Sequence, residues 1–359
     1  MKVCILSIMN IKHMSLISLY TAELEKQGID YDIIYVDKYG EIEKTNAKNV
    51  FRYEVEIKRG YSKFKKIKSY LKFKKYATLI LKKNNYDRII VWRSETALLF
   101  SSYLIKSMKR KYIINIRDYC KEKNPLIYFI MYLLINRSLF STISSEGFKT
   151  FLPKQKYELI HSFNESVLSK SIPRNTFRKL GEPIRVCFLG YVRFFENDKK
   201  LLKALANDNR FIIQFFGEGS KYLEEFATKE NINNVEFIPR FNLEETSKLL
   251  EKADVINNLY GFNDIALDTA VSIKYYYSLF LHIPILVYKG TYMEKLIDKS
   301  TTGYAVNEDL DNLADKFYKW YHNLNFEDFS NACNREMKEV KECNKSFQKL
   351  LKLTFHDNK

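Results

Sequence analysis

IRVCFLGYVR (184–193) and FIIQFFGEGS (211–220) decide how this chain is read. Each is a near-continuous apolar run that stops at a glycine, with a helical pattern after it. Runs of this kind are buried on both faces, as strands are in a parallel sheet covered by helices. A glycine at the strand end permits a tight turn and lets backbone come close to a ligand. Outward from this pair, VEFIP (235–239), DVINNLYG (254–261) and IPILVY (283–288) read as further strands, with helices over 201–206, 243–252 and 273–281.

The same alternation fills the first half. VCILSI (3–8), YDIIYV (31–36), DRIIVW (87–92), KYIINI (111–116) and YELIH (157–161) read as strands, and 13–27, 63–84, 95–109 and 124–137 as helices. Such a succession predicts an α/β, doubly wound architecture. A chain of 359 residues suits two domains better than one. Between Ser162 and Pro183 the sequence turns polar, with Pro173 and Gly181, and reads as a linker. The expected organisation is a Rossmann-like domain over 1–164, a linker over 165–182, a second Rossmann-like domain over 183–335 and a helical tail over 336–359. The charged segment from Phe326 onward reads as a last helix that crosses back to the first domain. No fixed-period repeat interrupts this pattern.

Composition narrows the classes. At 46% hydrophobic and 28% charged residues the chain is a folded protein, not a disordered one. Its net charge of +16 favours phosphate-bearing partners: nucleic acid, anionic lipid, or nucleotide and polyprenyl diphosphates. The alternative is a solvated lysine coat in a chain rich in Lys, Ile and Asn. The five cysteines are scattered and form no CxxC pair, so neither a disulfide framework nor a zinc site is expected. MKVCILSIMN (1–10) reads as a buried first strand rather than a signal peptide. No stretch reaches the roughly 20 apolar residues of a membrane span. The longest approach, Leu126–Ile135, is broken by Asn136 and Arg137. A cytoplasmic protein is expected.

Three clusters in the second half are candidates for chemistry. Gly190 ends a strand just before Arg193, whose guanidinium can give a diphosphate two parallel hydrogen bonds. Gly217 and Gly219 end the next strand. Ligands of open α/β sheets bind outside the carboxyl ends of strands, where helix N-termini offer free N–H groups. The alternative for each glycine is a tight turn with no ligand. Neither GxGxxG nor a Walker pattern occurs. The third cluster holds Asn258 and Tyr260 at a strand end, then Ser272-Ile273-Lys274-Tyr275-Tyr276-Tyr277 at a helix start. Lys274 adds a point charge where the helix dipole already favours an anion. The bland reading of Lys274 is a solvated lysine.

The order GYVRFFEN, FFGEGS, VEFIPRF, EETSKLLEKADVINNLYG, SIKYYYSLFLHIPILVY and TTGYAV resembles the donor domain of GT-B glycosyltransferases. It is most similar to bacterial enzymes related to glycosyltransferase family 4 that build capsular or exopolysaccharide units. The resemblance covers about 183–306 well. It covers the first half more loosely, through ISSEGFKTFLP (143–153) and HSFN (161–164). It implies a GT-B fold, two Rossmann-like domains facing across a cleft. It further implies Gly190 and Arg193 by the donor diphosphate, Gly217 near the nucleotide, and Lys274 at the phosphates or sugar. Gly219, Asn258 and Tyr260 join these as donor-binding candidates. Where the family carries a second Glu on the nucleotide ribose this chain has Tyr277, with Thr269 eight positions earlier. Ser272 replaces the usual Asn, and His282 the usual Gly before Ile-Pro. Either the ribose is held otherwise or the chain belongs to a divergent branch; Tyr277, at the expected position, is carried as a donor-binding candidate.

The first half offers weaker candidates. Asp118, after the strand KYIINI, reads either as a base toward an acceptor hydroxyl or as a helix cap. His13 and Glu95 also follow strands. The segment Tyr61–Tyr76 interleaves lysines with Phe64, Ile67 and Leu71. It reads either as a basic interfacial helix or as a domain helix with one core stripe. Leu126–Ile135, apolar all round, reads as deeply buried or partly inserted in a bilayer.

These readings converge on transfer of a sugar from a nucleoside diphosphate, UDP by preference. The acceptor is a polyprenyl-diphosphate-linked saccharide at the inner face of the cell membrane. Peripheral contact with anionic lipid is expected, but no metal ion and no cofactor beyond the nucleotide sugar. The alternatives are a nucleotide-sugar epimerase of the same fold and a basic protein that binds membrane or nucleic acid. Charge alone explains neither the glycine-ended strands nor their order, so nucleic acid is not an expected partner.

Overall fold

The apolar runs of the first half build one parallel sheet in the computed structural model, which describes residues 1–55 and 62–356. Its strands are β1 (Val3–Ser7), β2 (Tyr31–Asp37), β3 (Asn49–Glu54), β4 (Arg88–Trp92), β5 (Tyr112–Ile116), β6 (Phe140–Ile143) and β7 (Glu158–Leu159). They lie in the order β3-β2-β1-β4-β5-β6-β7. Among the described residues the α-helices that connect them are α1 (Ile17–Lys26), α2 (Lys63–Asn84), α3 (Ser94–Leu99), α4 (Ser101–Ser107) and α5 (Pro125–Arg137). This first unit comprises Met1–His161 and Glu342–Lys359. Its core joins Ile5, Ile33, Ile90 and Ile113 of the sheet to Tyr20 of α1 and to Phe347, Leu351 and Phe355 near the C-terminus.

Several local readings change. β3 and β6 were not expected. NVFRYE pairs with β2 as an exposed edge strand, with no apolar run to mark it, and FSTI is only four residues long. YELIH pairs only over Glu158–Leu159. The helix expected over 95–109 is two helices that meet at the buried Phe100. On α2 the core stripe is Phe73, Ala77 and Leu81, while Phe64, Ile67 and Leu71 are exposed. Tyr61 lies outside the described residues. α5 buries Met131, Leu134 and Ile135 and leaves Leu126, Phe129 and Tyr132 exposed.

The second unit, Ser162–Lys341, is built on another parallel sheet. Its strands are β8 (Ile184–Leu189), β9 (Phe211–Phe216), β10 (Val235–Ile238), β11 (Val255–Asn257), β12 (Ile285–Tyr288) and β13 (Gly303–Val306), in the order β10-β9-β8-β11-β12-β13. The helices are α6 (Phe195–Ala204), α7 (Ser220–Lys229), α8 (Thr246–Leu250), α9 (Ile265–Thr269), α10 (Ile273–Leu281), α11 (Tyr292–Ser300) and α12 (Leu313–His322). The long α13 follows (Phe326–Phe355), of which residues from Glu342 onward belong to the first unit. β11 stops at Asn257, four residues short of the expected strand. α9, α11 and α12 were not anticipated.

Residues 165–182 pack on this unit although their composition is polar. Leu168 is fully buried, and Phe177 packs tilted against Tyr321 and edge-to-face with Phe326 and Phe329. Arg174 and Arg178 both reach the buried Asp254 carboxylate, at 2.8 and 2.9 Å. In both sheets the strand order reverses once, between β1 and β4 and between β8 and β11. A crevice opens outside the carboxyl ends of the strands at such a point.

Candidate functional site

The crevice of the second sheet is floored by two glycine turns. Gly190 follows β8 with φ 129°, and Gly217 and Gly219 follow β9 with φ 139° and 93°. The turns lie side by side: Gly190 N–H donates to the Phe216 carbonyl, and Val192 N–H to that of Glu218, both at 2.9 Å. A Cβ on Gly217 would overlap the Gly190 carbonyl oxygen, and one on Gly219 would overlap that of Val192. These two glycines therefore serve close packing of turn on turn. At Gly190 the space above is open, and a Cβ there would meet only Lys274 Nζ, at 3.9 Å.

Lys274 is the centre of the arrangement. Ser272 caps α10 by accepting the Lys274 N–H, which sets the side chain at the helix start, beneath the Gly190 turn. The residue is 2% exposed, so it is not a solvated lysine. Its ammonium donates to the Tyr260 hydroxyl and lies 4.3 Å from the centre of the Phe188 ring and 4.4 Å from that of Tyr260. No carboxylate forms an ion pair with it among the described residues. A buried ammonium without a counter-ion is costly unless an anion arrives. Arg193 sits beyond the same tyrosine, 4.9 Å from the centre of the Phe194 ring and 6.0 Å from that of Tyr260. It too lacks a carboxylate partner among the described residues. The two cations flank Tyr260, and despite burial their charge holds its phenol below the ordinary range.

Polar atoms around this point lack partners. Asp198 Oδ2, Asn258 Oδ1, Ser220 Oγ and the Tyr288 hydroxyl are buried and accept or donate no hydrogen bond among the described residues. Buried polar atoms are normally satisfied, so a group of them marks where a ligand or water completes the network. α7 starts at Ser220 with no side-chain cap. The N–H groups of Ser220 and Tyr222 turn back to the Gly217 and Gly219 carbonyls, both at 3.3 Å, and that of Lys221 has no backbone acceptor among the described residues.

Asp198 was missed in the sequence. The signal was present: it stands in phase with Leu201, Leu202 and Leu205 on the buried face of α6, at spacing three, four and seven. Burial pushes its carboxyl up to about 7 against the pull of Lys274 and of the Asn257 amide. The folded chain thus keeps a proton that the unfolded chain loses near its ordinary value of 3.8. Stability consequently falls as pH rises from there to about 7, then levels. An ionised Asp198 also competes with a ligand anion for Lys274. Affinity for a nucleotide sugar, whose diphosphate diester does not titrate in this range, should decline as pH rises through 7. Asp198→Asn should flatten that profile in calorimetric titrations from pH 6 to 8.5. An unchanged slope in the variant would remove Asp198 from the site.

The remaining candidates separate. Gly190, Arg193, Asn258, Tyr260 and Lys274 gather at the crevice, with Gly217 and Gly219 behind them. Tyr277 is buried in the apolar cluster under β12 and α13, its phenol pushed up to about 12 by burial and by Tyr260. Asp118 belongs to the first unit. It caps no helix, since Asn124 caps α5, and it accepts from Arg93 at 3.2 Å. His13 is exposed against Tyr39, and Glu95 pairs with Arg93 at 3.1 Å.

No protein-family model and no curated protein matches the sequence. Solved structures do match in fold. Sucrose-phosphate synthase from Thermosynechococcus elongatus superposes with a TM-score of 0.73 at 11% identity, over 99% of this chain and 99% of that one. Anabaena HepE in complex with UDP gives 0.67 at 11%, over 98% and 99%. A putative UDP-N-acetylglucosamine 2-epimerase from Listeria monocytogenes gives 0.56 at 10%, over 95% and 96%. The fold is the α/β GT-B type, with two parallel-sheet units.

Proposed function

We propose that this chain is a glycosyltransferase that takes a sugar from a nucleoside diphosphate, with UDP as the preferred nucleotide. The observation that carries the reading is the buried Lys274 ammonium, without a carboxylate, under the open Gly190 turn. Arg193 supplies a second, exposed cation across Tyr260. Placed there, a diphosphate receives two positive charges and the positive end of the α7 dipole, with the Lys221 N–H the one left without a backbone acceptor among the described residues. The same contacts strengthen as the bond to the sugar breaks and the leaving phosphate gains charge, which is how such a site lowers the barrier. That task then needs no metal ion. HepE, of the same fold, is seen with UDP, which is in keeping with this choice of nucleotide.

The acceptor in this reading is a polyprenyl-diphosphate-linked saccharide, used at the inner face of the cell membrane in making surface polysaccharide. Two surfaces of the first unit support it. α2 carries nine lysines and no acidic residue beside the exposed Phe64, Ile67 and Leu71, and α5 exposes Leu126, Phe129 and Tyr132. Attraction to anionic lipid is worth about 1 kcal/mol for each basic residue near the surface. No helix among the described residues is long and apolar enough to cross a membrane.

Arg193→Ala should weaken nucleotide-sugar binding about tenfold, the loss of one charge-assisted contact at an exposed position. Product analysis tests the reaction itself. With a panel of UDP-sugars and a polyprenyl-diphosphate-linked saccharide, sugar should appear in the lipid fraction and UDP in solution. The epimerase among the similar folds keeps a second reading open, and it makes the opposite forecast. Under it, donor alone yields a changed sugar and no acceptor is needed.

A further inference from the structure

The first sheet has its own crevice, where the order reverses between β1 and β4. There the unit holds a groove of about 590 Å³, within the range of about 300–1,000 Å³ common for small-molecule sites. Its walls are mainly apolar: Ile8 and Met9 after β1, Ile67 and Leu71 of α2, and Leu98 and Leu99 of α3. Ile67 and Leu71 are 56% and 54% exposed although they line a concavity. The polar lining includes Lys38, Arg93 and Glu95. Lys38 joins no ion pair among the described residues. Arg93 is held at φ 74° and ψ 153°, a backbone conformation that a non-glycine residue adopts only under constraint. Its guanidinium is fixed by Glu95 and Asp118, yet Arg93 Nε and Glu95 Oε2 are buried without a hydrogen-bond partner.

We infer that this groove binds the apolar chain of a single-chain amphiphile with a phosphate head, the head meeting Lys38. Charge chooses the occupant. In the groove itself Arg93 is balanced by Glu95 and Asp118, which leaves the charge of Lys38. The nine lysines of the acid-free α2 beside it add a positive field that draws an anionic ligand in. Wall chemistry chooses the rest, because five aliphatic side chains and Met9 offer a bare saccharide no hydrogen bonds, leaving it Tyr70 and Cys120 beside the charged groups, whereas a hydrocarbon chain covers the apolar wall. A flat bilayer can touch the exposed residues of α2 but cannot fill a concavity. The inference rests on the lipid-linked acceptor proposed above and assigns the place of its chain.

Farnesyl phosphate, kept below its aggregation limit, is the probe, titrated into the full chain beside farnesol, inorganic phosphate and anionic vesicles. Farnesyl phosphate should bind, and the double variant Ile67→Gln/Leu71→Gln should weaken it at least tenfold. Both positions are more than half exposed, so the fold should survive. Lys38→Gln should weaken farnesyl phosphate and leave farnesol unchanged. The inference is overturned if farnesyl phosphate does not bind, if the double variant binds it equally well, if inorganic phosphate binds as tightly, or if only vesicles are bound. UDP titrated into the same samples separates the two readings. Loss of UDP binding with farnesyl phosphate binding intact would sink the donor site and leave the groove standing.

Discussion

Lys274→Met is expected to lower affinity for a nucleotide sugar about 100-fold, while the unliganded chain unfolds at a higher temperature than the parent. The two effects have one cause. Lys274 is an ammonium at 2% exposure whose protein contacts are a hydroxyl and two aromatic ring faces. Those contacts return only part of what dehydration of the charge costs. Methionine has a similar length and no charge, so the empty site becomes easier to bury. With a diphosphate present the balance turns over, because a charge-assisted contact is worth about 1.5–3 kcal/mol, and each 1.4 kcal/mol is tenfold in affinity. A purely structural lysine gives a different pair of results: a lower unfolding temperature and unaltered ligand affinity. Calorimetry with thermal melts reads both quantities on the same protein.

Gly217→Ala is expected to destabilise the second unit by about 3–5 kcal/mol, near the upper end for a single substitution. The new Cβ would lie 2.7 Å from the Gly190 carbonyl carbon and closer still to its oxygen. Both are backbone atoms held by the ladder of β8 and β9, so neither can swing aside. A φ of 139° adds strain for any residue with a Cβ. Gly190→Ala is the control. It has unusual φ as well, but its new methyl would meet only Lys274 Nζ at 3.9 Å. Its cost should be about 1–2 kcal/mol, from the backbone alone. Denaturant unfolding of the two variants should therefore separate widely. Equal midpoints would mean that the turns are not packed as described.

Much of this was legible in the sequence because strand and turn signals coincide. IRVCFLG and FIIQFFGEG end where the sheet ends, and their glycines mark the crevice. β3 was hidden for the opposite reason, since an exposed edge strand needs no apolar run. Residues 165–182 read as a linker because their apolar groups, Val167, Leu168, Ile172, Phe177 and Leu180, follow no strand or helix period among serines and arginines. What composition could not show is that Arg174 and Arg178 have a buried partner in Asp254, more than 70 positions away.

Depth was the least legible quantity. Lys274 is one lysine in a chain full of them, and its burial follows from Phe188 and Tyr260, which arrive from β8 and the loop after β11. Asp198 shows the same limit, for its place on the apolar face of α6 matters only once Lys274 is known to lie near. Tyr277 stands where a ribose contact is implied by resemblance, and the fold buries it in the apolar cluster with its phenol close enough to the crevice to feel Tyr260.

The central claim is that the second unit holds a nucleoside diphosphate at Lys274 and Arg193, and calorimetric titration of the full chain with UDP and a panel of nucleotide sugars tests it most directly. The account predicts saturable binding of UDP and tighter binding of at least one UDP-sugar, both lost in Lys274→Met. Absence of binding by every nucleotide and nucleotide sugar to the folded parent chain, or binding that Lys274→Met leaves untouched, would contradict it.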